Sequence, residues 1–154
     1  IIKDIKEKNL TDSLNHVAKI KKIPILGICL GMQLFGTSSE EVNYEHEGLN
    51  WIKGNLVKFI VKKKIPHIGF NGLINLKDDK LFYNINEHSK FYFVHNYYFE
   101  SENEKDVIAQ TEYDIIFPSV VKKENIVGTQ FHPEKSQNHG IQFLYNFLKS
   151  YDLL

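Results

Sequence analysis

Two short stretches hold the residue types from which a nucleophilic site can be built. The first is Gly27-Ile28-Cys29-Leu30-Gly31, which contains the chain's one cysteine. A glycine-x-nucleophile-x-glycine run between a strand and a helix is the pattern of a nucleophile elbow, here with sulfur in place of a hydroxyl. Small flanking residues permit the sharp turn. A helix N-terminus just after the sulfur favours the thiolate and lowers the thiol pKa, and the backbone N–H of Leu30 can face a developing oxyanion. A cysteine packed as a small hydrophobe in a glycine-containing turn fits the same five residues equally well. The second stretch is Gln130-Phe131-His132-Pro133-Glu134. Pro133 biases His132 toward an extended backbone, in which residues i and i+2 share a face. The Glu134 carboxylate can then accept from one ring nitrogen of His132 while the other takes a thiol proton. Taken alone, histidine-proline-glutamate is more often a turn than a site.

These residues gain weight from the elements around them. Ile2, Ile5, Leu10, Leu14, Val17 and Ile20 recur at roughly helical spacing, so residues 1–20 read as helix, with a break near Asn9 and Thr11 as the cap of a second segment. Ile23 to Ile28 is a short, continuously apolar run bounded by lysines and glycine, the signature of a strand buried on both faces. Leu30 to Phe35 can begin a helix, and Thr37 to Gly48 reads as helix end and loop. Strand-like runs follow at 56–61, 65–70, 91–99, 107–111, 119–122 and 126–131. The C-terminal stretch returns to helix, with Ile141, Phe143, Leu144, Phe147, Leu148 and Tyr151 forming one broad apolar stripe. Helix, buried strand, helix argues for a parallel α/β core, and the strand-rich middle for antiparallel additions. Ligands in such sheets gather at the carboxyl ends of the strands. Cys29 lies just past one such end and His132 just past another.

Composition limits the alternatives. The 154 residues fit one domain, with 19 Lys+Arg balancing 19 Asp+Glu. That balance gives no reason to expect nucleic acid or an anionic membrane as partner, and Lys62-Lys63-Lys64 reads as a solvated loop. A lone cysteine excludes an internal disulfide and points to a reducing, cytoplasmic setting. No apolar run is long enough to span a bilayer, and no secretory leader is expected. The seven histidines show no metal-ligand spacing, and Gly128-Thr-Gln-Phe is no phosphate-binding loop, so neither metal nor cofactor is expected. Trp51, Tyr97 and Tyr98 read as core ahead of a partner-facing patch.

The chain resembles the class I, triad-type glutamine amidotransferases, and among them the glutaminase subunits of imidazole glycerol phosphate synthase. The resemblance is carried, in family order, by Pro24-Ile-Leu-Gly-Ile-Cys-Leu-Gly-Met-Gln33, Gly48-Leu-Asn-Trp-Ile-Lys-Gly54, Ile65-Pro-His-Ile-Gly-Phe-Asn71, Tyr92-Phe-Val-His-Asn-Tyr-Tyr98 and Gly128-Thr-Gln-Phe-His-Pro-Glu-Lys-Ser-Gln137. It implies a single domain over 1–154 with a flavodoxin-like α/β fold: a mostly parallel central sheet flanked by helices, with added antiparallel strands. It also implies that a first strand and a glycine-rich segment donating a second oxyanion N–H belong ahead of Ile1.

The same resemblance assigns roles. Cys29, His132 and Glu134 match the catalytic triad. Leu30 and Gly31 fall at the oxyanion side of the elbow, and Gln33 and Glu41 match positions that hold the polar end of glutamine. His95-Asn96-Tyr97 matches a strand whose backbone lines the same pocket, with asparagine at 96 where serine is usual. Lys135 falls at the mouth facing the synthase. Phe70 and Asn71 lie in the stretch that meets the partner, with phenylalanine at 70 where tryptophan is usual. The implied partner is a (β/α)₈-barrel cyclase forming a heterodimer and receiving ammonia for histidine biosynthesis. A paralogous route supplying ammonia for surface-sugar amidation, a stand-alone cysteine γ-glutamyl hydrolase and a non-catalytic scaffold stay open beside it.

Overall fold

A computed structural model describes residues 2–42 and 48–154. The first helical run breaks where the sequence suggests: α1 (Ile2–Glu7) ends before Asn9, whose φ of 53° stops a right-handed helix. α2 (Thr11–Asn15) follows, with Leu10 at the cap and Thr11 already inside the helix, so the expected threonine cap is absent. A wider turn, His16–Ile20, completes the segment.

β1 (Ile25–Ile28) leads through Cys29 into the one-turn helix α3 (Leu30–Gln33). β2 (Ser38–Ser39) and a 3₁₀ turn (Glu40–Val42) follow. Residues 43–47 of the loop expected over 37–48 lie outside the described residues. Then come β3 (Gly54–Lys58), β4 (His67–Gly72), β5 (Lys90–His95), β6 (Tyr97–Ser101), β7 (Val107–Tyr113), β8 (Ile115–Lys123), β9 (Ile126–Thr129) and the terminal helix α4 (Gln137–Ser150).

The strands form three sheets, ordered β1-β9-β8-β7, β2-β3-β6 and β4-β5. The fold is α/β, with less parallel pairing than the sequence led us to expect. Among the described residues only β1–β9 and β2–β3 run parallel. The cause lies in the turns. Asp114 and Glu124, at φ 61° and 52°, close tight reversals between β7 and β8 and between β8 and β9, and a tight reversal returns the chain antiparallel. β1 is the outer strand of its sheet, so only Gly27 is buried in it, against the expectation of burial on both faces. The run 91–99 is not one strand: it divides at the exposed Asn96, β5 joining β4 and β6 joining β3.

Two apolar clusters hold these layers. Phe91, Phe93, Phe117, Phe131 and Phe143 centre the larger, with Phe143 edge-on to Phe131 at 5.4 Å. Met32, Phe35, Trp51, Ile52 and Phe99 centre the smaller. Trp51 is buried, stacks on Phe35 and donates its indole N–H to Asn15 at 2.8 Å. α4 buries Phe143 and Phe147, but Ile141 is 66% exposed, off the stripe expected of it. The buried Asn125 side chain donates to the carbonyls of Ala18 and Ile23 at 2.9 and 2.8 Å, which ties the N-terminal helical segment to the lead-in of β1.

Candidate active site

The elbow owes its geometry to β1 and α3. Cys29 has φ 48° and ψ −102°, a backbone region that non-glycine residues rarely occupy. Its N–H donates to the Thr129 carbonyl at 2.7 Å, continuing the β1–β9 ladder by one step before the chain turns away. Gly27 must be small: an added Cβ would run into the Phe35 ring and would stand 2.7 Å from the Gly31 carbonyl carbon. Gly31 itself carries no such requirement, since a Cβ there would meet nothing within 4 Å.

Parallel pairing of β1 with β9 sets the two chemical stretches side by side. Ile28 is in register with Thr129, so Cys29 leaves the carboxyl end of β1 where Gln130 leaves that of β9. His132 follows two residues later and is anchored to β5, its N–H donating to the Tyr92 carbonyl at 2.8 Å. The pre-proline position holds His132 extended, at φ −99° and ψ 94°. Pro133–Lys135 is a 3₁₀ turn, so winding of the chain, and not a strand pleat, brings Glu134 to the ring. Glu134 Oε1 lies 2.7 Å from His132 Nδ1. A carboxylate only accepts, so Nδ1 carries a proton toward Glu134; whenever the ring is neutral, Nε2 presents the lone pair. The His132 side chain is 18% exposed and that of Glu134 46%.

The sulfur is half-buried and held by polar groups from other elements. Gln130 Nε2 donates to Cys29 Sγ at 3.6 Å, and the thiol donates to the Val94 carbonyl on β5 at 4.0 Å. Burial pushes the Cys29 thiol above its ordinary pKa; the Leu30 N–H and the Gln130 amide pull it down, the Glu134 carboxylate raises it and Lys135 lowers it. The expected depression by the helix N-terminus is therefore overturned. α3 is a single turn, with little dipole to oppose desolvation.

Gln33, from α3, donates to the Tyr97 carbonyl at 3.4 Å and to Gln130 Oε1 at 3.3 Å. It thus reaches the sulfur through Gln130, a fully buried residue whose side chain sequence reasoning left without a role. Of the stretch 95–97, His95 is buried and Asn96 exposed. The Asn96 carbonyl accepts from Phe59 N–H at 3.1 Å, and the Tyr97 carbonyl accepts from Gln33 and from His95 Nδ1 at 2.7 Å. Glu41 is exposed in its 3₁₀ turn, with its N–H bonded to Ser39 Oγ. Leu30 is 39% exposed beside the sulfur.

On β4 the pleat turns Ile68 and Phe70 outward, at 57% and 50% exposure. Phe70 meets the Tyr92 ring edge-on at 5.6 Å, and Lys135 Nζ stands 5.9 Å above the same ring. Asn71 turns to the opposite face, where its amide donates to the Glu112 carbonyl at 3.0 Å. Among the described residues there is no cluster of three His, Cys, Asp or Glu able to hold a metal, and no helix long and apolar enough to cross a membrane.

A family model described as glutamine amidotransferase class-I matches residues 5–151. The imidazole glycerol phosphate synthase subunit HisH of Leptospira interrogans is 41% identical over 152 residues, which cover 96% of this chain and 74% of that protein. The subunit HisH 2 of Methanococcus maripaludis is 46% identical over 148 residues, covering 95% and 72%. Two solved structures share the fold: a glutamine amidotransferase with a TM-score of 0.72 and 14% identity over 98% of this chain and 72% of its own, and a glutamine amidotransferase of Thermotoga maritima with a TM-score of 0.60 and 19% identity over 96% and 57%. A class-I family model over residues 5–151, with relatives 41% and 46% identical over most of the chain, places it among the class I glutamine amidotransferases, in the family of the HisH subunits of imidazole glycerol phosphate synthase.

Proposed function

We propose that this single-domain chain is the glutaminase subunit of an imidazole glycerol phosphate synthase. It hydrolyses glutamine to glutamate and ammonia with Cys29, His132 and Glu134. The observation that carries the reading is the register of β1 with β9, which sets the Cys29 turn beside Gln130, two residues ahead of the hydrogen-bonded His132–Glu134 pair. In the proposed reaction His132 Nε2 takes the thiol proton as sulfur attacks the side-chain amide carbon of glutamine, and the carbonyl oxygen becomes an oxyanion within reach of the Leu30 N–H. The tetrahedral adduct collapses, His132 returns the proton to the leaving nitrogen, and ammonia departs from a glutamyl thioester. Water then gives a proton to His132 and attacks the thioester carbon. Glutamate leaves, and the proton goes back to sulfur. Glu134 fixes the ring and favours its charged form. A raised thiol pKa suits this order, because the resting sulfur keeps its proton until the substrate arrives. Gln33 is the residue we assign to the polar end of glutamine, with Glu41 and the 95–97 backbone completing the pocket.

Free ammonia becomes ammonium in water, so we further propose that a (β/α)₈-barrel synthase caps the site as the other half of a cytoplasmic heterodimer and uses the ammonia in histidine biosynthesis. The exposed Ile68, Phe70 and Lys135, next to Tyr92, supply an apolar face with one cation for that contact. The test uses the protein with the barrel subunit from the same genome. Glutamine-dependent formation of imidazole glycerol phosphate is expected, with Cys29→Ala abolishing it while added ammonium still supports the barrel reaction. Ammonia release by Cys29→Ala at the wild-type rate would overturn the triad. Glutamine hydrolysis that supports only a surface-sugar amidation would assign the chain to that parallel route.

A further inference from the structure

His67 and His95 are 3% and 5% exposed, and the mechanism above uses neither ring. They face each other across the β4–β5 pair, where they are direct register partners, with His67 Nδ1 3.0 Å from His95 Nε2. His67 is stacked between Phe93 at 4.8 Å and Tyr113 at 4.1 Å. Burial lowers the His67 pKa to about 4 and that of His95 to about 3, so both rings are neutral at physiological pH. Their surroundings then leave one tautomer for each. His95 Nδ1 sits 2.7 Å from the Tyr97 carbonyl, which can only accept, so Nδ1 holds the proton and Nε2 the lone pair. His67 Nδ1 must therefore donate to that lone pair, and His67 Nε2 is left to accept from the Asn71 amide 3.4 Å away. All donors in this run point one way, from Asn71 to the Tyr97 carbonyl. A second run converges on the site from the same carbonyl: Gln33 Nε2 reaches both Tyr97 O and Gln130 Oε1, and Gln130 Nε2 reaches Cys29 Sγ.

We propose that His67 and His95 are positioning residues, which orient the Tyr97 carbonyl and through it the Gln33–Gln130 amide pair beside Cys29. The inference rests on the glutaminase reading above. The Tyr97 carbonyl receives two donors, His95 Nδ1 and Gln33 Nε2. Two donors on one half-buried carbonyl constrain its direction, and a lost partner there is costly. If His95 no longer donates, the carbonyl and Gln33 can turn together, and Gln33 loses the orientation from which it meets glutamine. The pair does not touch the reacting atoms, so its loss should act on substrate binding more than on turnover.

The experiment measures steady-state glutaminase kinetics of the protein with its barrel subunit, for wild type, His95→Phe, His95→Asn and His67→Phe. Asparagine places an amide N–H near the position of Nδ1, so His95→Asn keeps a donor to Tyr97. The expected result is a rise of about tenfold or more in the KM for glutamine with His95→Phe, with kcat within about threefold, and recovery of most of the KM by His95→Asn. His67→Phe keeps a flat ring between Phe93 and Tyr113 and should show a smaller rise of the same kind. Nitrogen-15 NMR of the imidazoles in the wild-type protein at pH 7 provides a readout that needs no variant: both rings should be neutral and protonated on Nδ1. An Nε2-protonated tautomer at either ring, or an unchanged KM in His95→Phe of a wild-type protein that does hydrolyse glutamine, would overturn the positioning role. A wild-type protein that does not hydrolyse glutamine would instead overturn the function proposed above.

Discussion

The side chain of Gln130, fully buried at the end of β9, donates to the sulfur of Cys29 over 3.6 Å. This is the one side-chain donor to that sulfur among the described residues. It works against the burial that raises the thiol pKa.

Gln130→Leu removes that donor at nearly constant volume. The thiol pKa should rise further, and alkylation of Cys29 by iodoacetamide at pH 8 should slow. Turnover should fall about tenfold, as expected for losing a hydrogen bond to a group that becomes charged. In wild type the same alkylation should keep accelerating above the pH range of an ordinary thiol. A rate that levels off below pH 7 would mean that the sulfur rests as a thiolate.

Glu134→Gln keeps the shape of the side chain but not its charge. The amide can still accept from His132 Nδ1, while the imidazolium that forms during the reaction loses its counter-charge. A drop of about a hundredfold in kcat is expected, with little change in the KM for glutamine. Unchanged turnover would reduce Glu134 to a surface residue on the 3₁₀ turn.

Acid should destabilise the fold through the histidine pair. In the native state His67 titrates at about 4, depressed by burial and then by Lys63, against 6.5 in an unfolded chain. Below pH 6.5 the unfolded state therefore binds more protons than the native one. The stabilising contribution, complete above that pH, is lost as pH falls toward 4. His67 alone should cost about 2 kcal/mol between pH 7 and pH 4.5. Urea unfolding midpoints across that range should fall less steeply in His67→Phe than in wild type; identical slopes would show that His67 does not resist protonation.

Gly140→Ala tests how the Pro133–Lys135 turn is seated. An added Cβ would drive into the Pro133 carbonyl and come within 2.9 Å of the Ser136 Cβ. Relief requires α4 to move away from the turn that carries His132 and Glu134. A loss of about 1–3 kcal/mol is expected, together with a lower kcat, measured by thermal unfolding and glutaminase assay on one sample. Wild-type values of both would mean that helix and turn can part without consequence.

The local geometry was legible in short runs. Cys29 with its flanking Gly27 and His132-Pro133-Glu134 are short runs whose residue types declare a sharp turn and a histidine–carboxylate pair, and both are present. The supporting residues were not legible, because their meaning depends on pairing register. Nothing near Gln130 in the sequence says that its amide faces a sulfur 101 residues away, and His67 acquires its partner only because β4 pairs with β5 with those two residues opposed. The division of 91–99 at Asn96 was hidden for the same reason: both halves are strand-like, and only their separate partners, β4 and β3, show the break. The positions of Gln33 and Glu41 came from family likeness. For Gln33 the structure adds a bond to Gln130 and the Tyr97 carbonyl; Glu41 lies exposed in its 3₁₀ turn.

The backbone of Cys29, at φ 48° and ψ −102°, sets fitness for folding against fitness for function. Holding a side chain in such a region costs about 1–3 kcal/mol, and glycine escapes most of that strain. On the proposed mechanism, Cys29 is thus the position at which a glycine substitution makes the protein more robust while ending its chemistry. Libraries of variants selected only for heat resistance or soluble yield should drift toward dead clones at codon 29, and any stabilisation campaign on this fold has to select for turnover in the same round.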